Sequence, residues 1–258
     1  MKKNCYFIHF VGRKPWTVWH HNPLEHYSEY FYTEAANLIR EEIKKIDITK
    51  VYDSIKLCVY AICKNERNRI EQWVDCFTEA DYVCVLDTGS TDGTWEYLCE
   101  AKKKYKNLII KSEIISPWRF DTARNESMKL IPKDTVMYFM ADIDECIEEK
   151  GWADKVRRAW DPQFSRGVYK YNRNVADDGT VLRTIDEFRI HSKFWDHWEN
   201  IVHEALYNKC GEKHFYFDIC TPIDITVWHY SQGEKTDLYI ELCEKGIEEQ
   251  PGDDVMRL

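Results

Sequence analysis

From Ile55 to Met140 the chain alternates between short apolar runs and segments with helical spacing. Ile55–Ile62, Tyr82–Leu86, Leu108–Ile110 and Thr135–Met140 read as buried strands. Between the first two, Ile70, Trp73, Val74 and Phe77 fall at i, i+3, i+4 and i+7, one face of a helix. A second helix opens in Ser90–Thr94, where Ser90 is placed to cap it, and carries Trp95 and Leu98. A third covers Phe120–Ile131. Strands separated by helices need crossover connections, so the pattern predicts an α/β fold with a parallel sheet and helices on its faces. Ligands of such sheets bind beyond the carboxyl ends of the strands. The informative positions are therefore Asn65 and Glu66 after the first strand, Asp87 at the end of the second, and Asp142 and Asp144 after the fourth.

The rest of the chain is less regular. A short helix follows Gly151-Trp152, and further strands are expected near Gly167–Tyr171, Val181–Ile190 and Ile225–Tyr230. Residues 1–33 read as irregular structure. Residues 34–47 read as a helix with Leu38, Ile39, Ile43 and Ile46 on one face and Thr33 as its N-cap. Residues 234–249 read as helical again. This divides the chain into an N-terminal appendage (1–52), an α/β domain (53–233) and the start of a helical C-terminal region (234–258). One helix cannot bury its face alone, so the last segment either packs on the α/β domain or begins a longer helical part.

Charge excludes some functions. The net charge of −9 argues against a general nucleic-acid binder, which needs a basic surface. Residues 1–52 run against that trend, with eight Lys/Arg against six Asp/Glu, as if of separate origin. The 10 cysteines include no C-x-x-C pair, and several sit in apolar runs, so free buried thiols are expected. Cys210, His214 and Cys220 could ligate a metal, but their spacing is irregular. No leader-like core and no membrane-length apolar stretch occurs. A cytoplasmic protein without an integral membrane segment is the expectation.

Asp142-Ile-Asp-Glu145 carries the sharpest chemical signal. Two carboxylates two residues apart at the mouth of a parallel sheet suit a hard divalent cation that bridges a diphosphate. The plainer reading is that they solvate a strand end. Context favours chemistry: Leu86-Asp-Thr-Gly-Ser-Thr-Asp-Gly-Thr94 ends one strand and starts a helix. There Asp87 can accept hydrogen bonds from a ribose or base, and Gly89 and Gly93 permit a tight turn.

Four segments in order resemble successive motifs of the family 2 glycosyltransferases: Val59–Glu66, Val85–Thr94, Trp118–Asn125 and Asp142–Glu145. The resemblance covers about residues 55–230. It implies a GT-A fold, a Rossmann-like, nucleotide-sugar-binding mixed sheet flanked by helices. It also implies inverting transfer from a nucleotide-diphosphate sugar, a UDP-sugar favoured, with Mg²⁺ or Mn²⁺. The acceptor would be a saccharide, a lipid-linked sugar or a peptide. By position, Asp87 matches the acid that contacts the nucleoside, and Arg119, Arg124 and Asn125 the segment lining the donor pocket. Asp142 and Asp144 match the D-x-D pair for ribose and metal. Many members carry two adjacent acids where this chain has Asp87-Thr88, which bears on base recognition.

Downstream, Arg189-Ile-His191 and Val202–Leu206 resemble the acceptor-side half of the family. An inverting displacement needs a carboxylate to deprotonate the acceptor. Glu204 is the first candidate, in a strand-like segment, with Glu187 and Asp186 behind it. His229, ending an apolar strand, is a candidate contact for metal or phosphate, or else a core histidine. At the N-terminus, His9-Phe-Val-Gly-Arg-Lys-Pro-Trp16 resembles the closing motif of family 8 glycosyltransferases, through His9, Gly12 and Lys14. The rest of that family's catalytic domain is absent, so the segment reads as the tail of a lost or separated domain, with a docking appendage as the plainer alternative to an active role. Two other functions compete: a catalytically inactive or truncated nucleotide-sugar-binding module, and an aspartyl-nucleophile phosphotransferase. The latter would carry its D-x-D after the first strand, whereas here it follows the fourth.

Overall fold

Strand β1 (Lys56–Cys63) is apolar on both faces because both faces are covered. It pairs in parallel with β2 (Tyr82–Asp87) on one side and β4 (Thr135–Met140) on the other. A computed structural model of the chain describes residues 54–161, 165–175, 179–208, 220–230 and 237–249. The chain divides between Val51 and Tyr52 into two compact units, and all described residues belong to the second. The expected helix at 34–47 and the His9–Trp16 segment lie outside the described residues.

The main sheet has the order β3-β2-β1-β4-β7-β6-β10-β5. Besides the strands above it holds β3 (Leu108–Ser112), β5 (Glu145–Cys146), β6 (Arg166–Val175), β7 (Val181–Ser192) and β10 (Cys220–His229). The half containing β3, β2, β1 and β4 is parallel, and β7 then runs antiparallel to β4. The chain leaves β1 toward β2 and β3, then returns to add β4 on the far side. The crevice between the ends of β1 and β4 is thus a topological switch point, where open α/β sheets bind ligands. The result is the mixed sheet flanked by helices that the sequence leads one to expect.

Helices α1 (Ile70–Phe77), α2 (Thr94–Lys104), α3 (Phe120–Met128) and α4 (Trp152–Arg158) follow strands β1, β2, β3 and β5. The expected stripe of α1 is buried in full, and Phe77 meets Phe139 and Trp152 edge-on at 5.7 and 5.6 Å. Burying each such side chain contributes about 1.5–3 kcal/mol. Helix α2 starts at Thr94, and Ser90 does not cap it. The Thr94 and Arg67 amides donate instead to Asp92, at 3.0 Å each, while the Ser90 hydroxyl accepts the Asn65 amide at 2.8 Å. Helix α3 ends at Met128 rather than Ile131, since Pro132 disfavours helical geometry in the residue before it.

The opposite face of the sheet carries Cys58, Tyr60, Cys84 and Met140. It is covered partly by a hairpin of β8 (Trp195–Glu199) and β9 (Ala205–Asn208), which the hydropathy pattern did not announce. A bulge between Trp195 and His197 explains this: the buried Trp195 and Trp198 stand three apart, not two. Glu204 accordingly lies in the turn before β9, not in a strand. Gly167 sits where β6 meets its neighbours most closely. A Cβ there would come within 2.4 Å of Ile223 Cδ1 and 3.2 Å of Ile190 Cβ.

The expectation of free thiols fails at one pair. Cys76 of α1 and Cys146 of β5 form a disulfide, 70 residues apart in sequence. Cys58, Cys63, Cys84, Cys99 and Cys243 are free thiols, as expected. Helix α5 (Asp237–Glu249) packs on the domain through Leu242 against Ile201 and Val202. No helix among the described residues is long and apolar enough to cross a membrane.

Candidate active site

A cavity of about 1040 Å³ opens at the switch point. The loop after β1 supplies Asn65 and Glu66, and the loop after β4 supplies Asp142 and Asp144. Arg124 enters from α3, Arg189 from β7 and His229 from the end of β10. The turn before β9 brings His203 and Glu204, and α5 brings Leu238 and Tyr239.

The two aspartates of the D-x-D pair do different things. Asp142 lies between two guanidinium groups, accepting from Arg124 Nη2 at 2.6 Å and Arg189 Nη1 at 2.8 Å. Burial alone would raise its pKa, but the two cations outweigh burial and hold the carboxyl well below the usual range. Asp144 faces His229, with Oδ2 3.1 Å from Nε2. Burial would lower the His229 pKa, but Asp144 beside it raises it. The His229 ring stacks on Tyr171, centroids 5.6 Å apart, and its buried Nδ1 has no hydrogen-bond partner among the described residues.

Beneath the pair lies Glu145, fully buried. Its carboxylate accepts from Tyr171 Oη at 2.8 Å, Arg189 Nη1 at 2.7 Å and the Asp142 amide at 3.1 Å. Burial pushes this carboxyl up to about 7. Sequence reasoning quoted Glu145 and Arg189 within motifs but assigned neither to the site. The available signal was Glu187 and Arg189 at i and i+2, a charged pair on one face of a strand whose Ile190 turns into the core.

Arg124 joins the two halves of the cavity. Besides Asp142 it holds Glu204, through Nε to Oε1 at 3.2 Å, and its buried Nη1 has no hydrogen-bond partner among the described residues. Glu66 is half-buried, which raises its pKa. Asn65, in a left-handed conformation at φ 57, spends its side-chain oxygen on the Thr91 amide at 2.8 Å, tying the first loop to the second.

Three expected site residues do not line the cavity. Asp87 is 1% exposed and accepts from the Gly89 and Ser90 amides and Ser112 Oγ, so it closes its own turn. Arg119 pairs with Asp121 at 2.7 Å and with Glu249 of α5 at 2.7 Å. Asn125 grips the Trp198 backbone with both ends of its amide, at 2.7 and 2.8 Å, and so holds the hairpin on α3. Of the alternative bases, Glu187 lines the cavity, whereas Asp186 pairs with Lys170 at 2.7 Å. Cys220 is exposed, while Cys210 and His214 lie outside the described residues.

No protein-family model matches the chain, and no curated protein matches it. Among solved structures it is similar to glycosyltransferases. One is a mannosyltransferase from Pyrobaculum calidifontis in complex with GDP-Man and Mn²⁺, 21% identical with a TM-score of 0.38. The match covers 43% of this chain and 34% of that one. Another is S. aureus TarS 1–349 in complex with UDP-GlcNAc, 12% identical with a TM-score of 0.46, over 78% of this chain and 68% of that one. For S. aureus TarS itself the figures are 19% and 0.39, over 48% and 22%. The chain thus spans about a third of the mannosyltransferase's length and less of TarS.

The residues present fit a divalent cation between Asp144 and His229. Carboxylate and imidazole are both suitable ligands, and their facing atoms lie 3.1 Å apart, as neighbours on one ion do. No cluster of three or more His, Cys, Asp or Glu side chains stands ready for a metal among the described residues. The remaining positions would fall to water or to oxygens of a bound ligand.

Proposed function

We propose that the chain is a glycosyltransferase that binds a nucleotide-diphosphate sugar with Mg²⁺ or Mn²⁺ and transfers the sugar with inversion to an acceptor hydroxyl. The observation that carries this reading is the charge of the cavity. Five carboxylates (Glu66, Asp142, Asp144, Glu187 and Glu204) line it against four cations (Lys64, Arg124, Arg166 and Arg189). A diphosphate entering such a cavity meets a surplus of like charge, and Asp144 and His229 would hold the cation that reverses it. That cation would neutralise the diphosphate and the charge that grows on it as the glycosidic bond breaks. Its likeness to the family 2 motifs adds support for the donor class, with a UDP-sugar favoured.

Within this reading Asp142 is held ionised by Arg124 and Arg189 and offers acceptor oxygens to a ribose. Glu204 is the base. The acceptor oxygen bonds to the anomeric carbon, the carbon–phosphate-oxygen bond breaks, and the acceptor's proton passes to the Glu204 carboxylate. Arg124 holds Glu204 in place through Nε to Oε1 at 3.2 Å. Glu145 positions the acidic loop by accepting the Asp142 amide.

Calorimetry of UDP with and without Mn²⁺ tests the donor site. Asp144→Asn and His229→Ala should each weaken metal-dependent binding at least about tenfold, as the loss of one ligand does. Glu204→Gln should cost about 10²–10⁴-fold in transfer rate while leaving UDP affinity within a few-fold. Nucleotide binding indifferent to metal in the parent chain would sink the proposal. Normal donor binding with no transfer or donor hydrolysis would instead favour a binding module.

A further inference from the structure

The cavity is chemically divided. One half holds the acids and His229. The other is walled by α5 and by the turn that carries Glu204. This wall is built with care: Asn200 and His203 take left-handed conformations, at φ 82 and 54. Leu242 of α5 is buried against Ile201 and Val202, which fixes that turn. Tyr239 of α5 reaches His203, hydroxyl to Nε2, at 3.3 Å.

The surface so formed mixes ring carbons with hydrogen-bonding groups. Trp118 and Phe120, edge-on at 5.2 Å, belong with Tyr239 to one partly buried cluster, and all three line the cavity. His203 and Glu204 lie beside them. A saccharide ring has the matching pattern, an apolar C–H face and a hydroxyl edge. Two of the cavity's guanidinium groups are engaged by carboxylates. Arg124 serves Asp142 and Glu204, and Arg189 serves Asp142 and Glu145. A negatively charged acceptor would find these two cations already ion-paired and would meet the Glu204 carboxylate beside them.

We infer that α5, through Tyr239 and Leu238, forms the acceptor subsite, and that this subsite takes an uncharged saccharide. The inference rests on the glycosyltransferase reading and adds the acceptor class to it. Tyr239 supplies the ring on which the sugar face packs. Leu238, half exposed at the cavity mouth, bounds the subsite on the solvent side.

The test uses the full chain loaded with UDP and Mn²⁺. Saturation-transfer NMR and tryptophan fluorescence report binding of neutral disaccharides (cellobiose, lactose and maltose), a glucuronate-containing disaccharide and a short polyprenyl phosphate. At least one neutral disaccharide should bind, and the two charged probes should not. Tyr239→Ala should weaken that binding about tenfold, the worth of a ring contact, with UDP affinity unchanged. Tyr239→Phe keeps the ring and should stay within about threefold, the worth of one modest hydrogen bond. Leu238→Glu, at a half-exposed position that tolerates charge, should also weaken saccharide binding and spare UDP. Preference for the glucuronate or polyprenyl probe would overturn the inference, and so would binding of UDP without any neutral saccharide. Saccharide binding indifferent to Tyr239→Ala would do the same. A parent chain that fails to bind UDP with Mn²⁺ would refute the underlying reading, and this one with it.

Discussion

Arg124→Met is the most informative single change in the cavity. The Arg124 side chain is only 8% exposed and is shared between Asp142 at 2.6 Å and Glu204 at 3.2 Å. Removing one partner of a buried ion pair costs about 3–5 kcal/mol, because a charge is left in a poor solvent. Here Asp142 keeps Arg189, and both carboxylates retain some water, with side-chain exposures of 31% and 15%. The loss should therefore sit near the lower end, about 3 kcal/mol. With a urea dependence of about 2 kcal/mol per M, the unfolding midpoint moves down by about 1.5 M. Arg124→Lys should recover little, since an ammonium lacks the fork needed to span both carboxylates. A double-mutant cycle with Glu204→Gln isolates one arm. In the Arg124→Met background that second change removes the stranded charge, so the pair should couple by about 1–3 kcal/mol. A single-variant loss under about 1 kcal/mol, or additivity within about 0.5 kcal/mol, would refute Arg124 as the joint of the site.

Three further outcomes are expected. His191 is fully buried, bonded to Tyr60 Oη at 2.9 Å, and burial pushes its imidazole down to about 3. The unfolded chain takes up that proton near pH 6.5 and the folded chain does not, so stability falls as pH drops, by about 1.4 kcal/mol per unit between about pH 6 and 4. Urea melts of His191→Gln with an equally steep acid limb would contradict this. Cys146→Ser should cost about 2–4 kcal/mol, given the 70-residue loop closed, and a thiol reductant should lower the parent's midpoint alike. Intact-mass measurement under non-reducing conditions checks the bond directly. Asp87→Ala leaves the Gly89 and Ser90 amides without their acceptor and should cost about 1–3 kcal/mol. If Asp87 also contacts the nucleoside, UDP affinity falls in the remaining folded protein, whereas normal affinity there removes that role.

The parallel half of the sheet was legible because each strand is a continuous apolar run bounded by turn residues, as in Thr135–Met140. The positions of Asp142, Asp144 and Glu66 at the cavity followed from strand direction alone. Partners that depend on distant pairing were not legible. Arg189 meets Asp142 from 47 residues away and Cys76 meets Cys146 across 70, and neither leaves a local periodicity. The β8–β9 hairpin was hidden by its bulge, and Glu204, in the strand-like run Val202–Leu206, falls one residue short of β9. Asp87 shows a different limit: sequence put it at the right strand end but could not say which way the carboxylate faces.

The pairing of β5 with β10 has a consequence for how the site comes into being. Two residue pairs, Trp228 with Cys146 and His229 with Glu145, and the Tyr230 amide donating to the Asp144 carbonyl at 2.9 Å dock the end of β10 beside the acidic loop. They bring His229 to Asp144 across 85 positions of chain. The loops after β1 and β2 are stitched to each other over about 25 positions and can close early. The facing acid and imidazole must wait for a closure of 85 positions, which pays its chain entropy before any contact rewards it. During synthesis, a chain not yet extended past His229 would carry the sheet and the acidic loop without the imidazole that completes them. Under the proposed function, cation capture would in this sense report that β10 has docked.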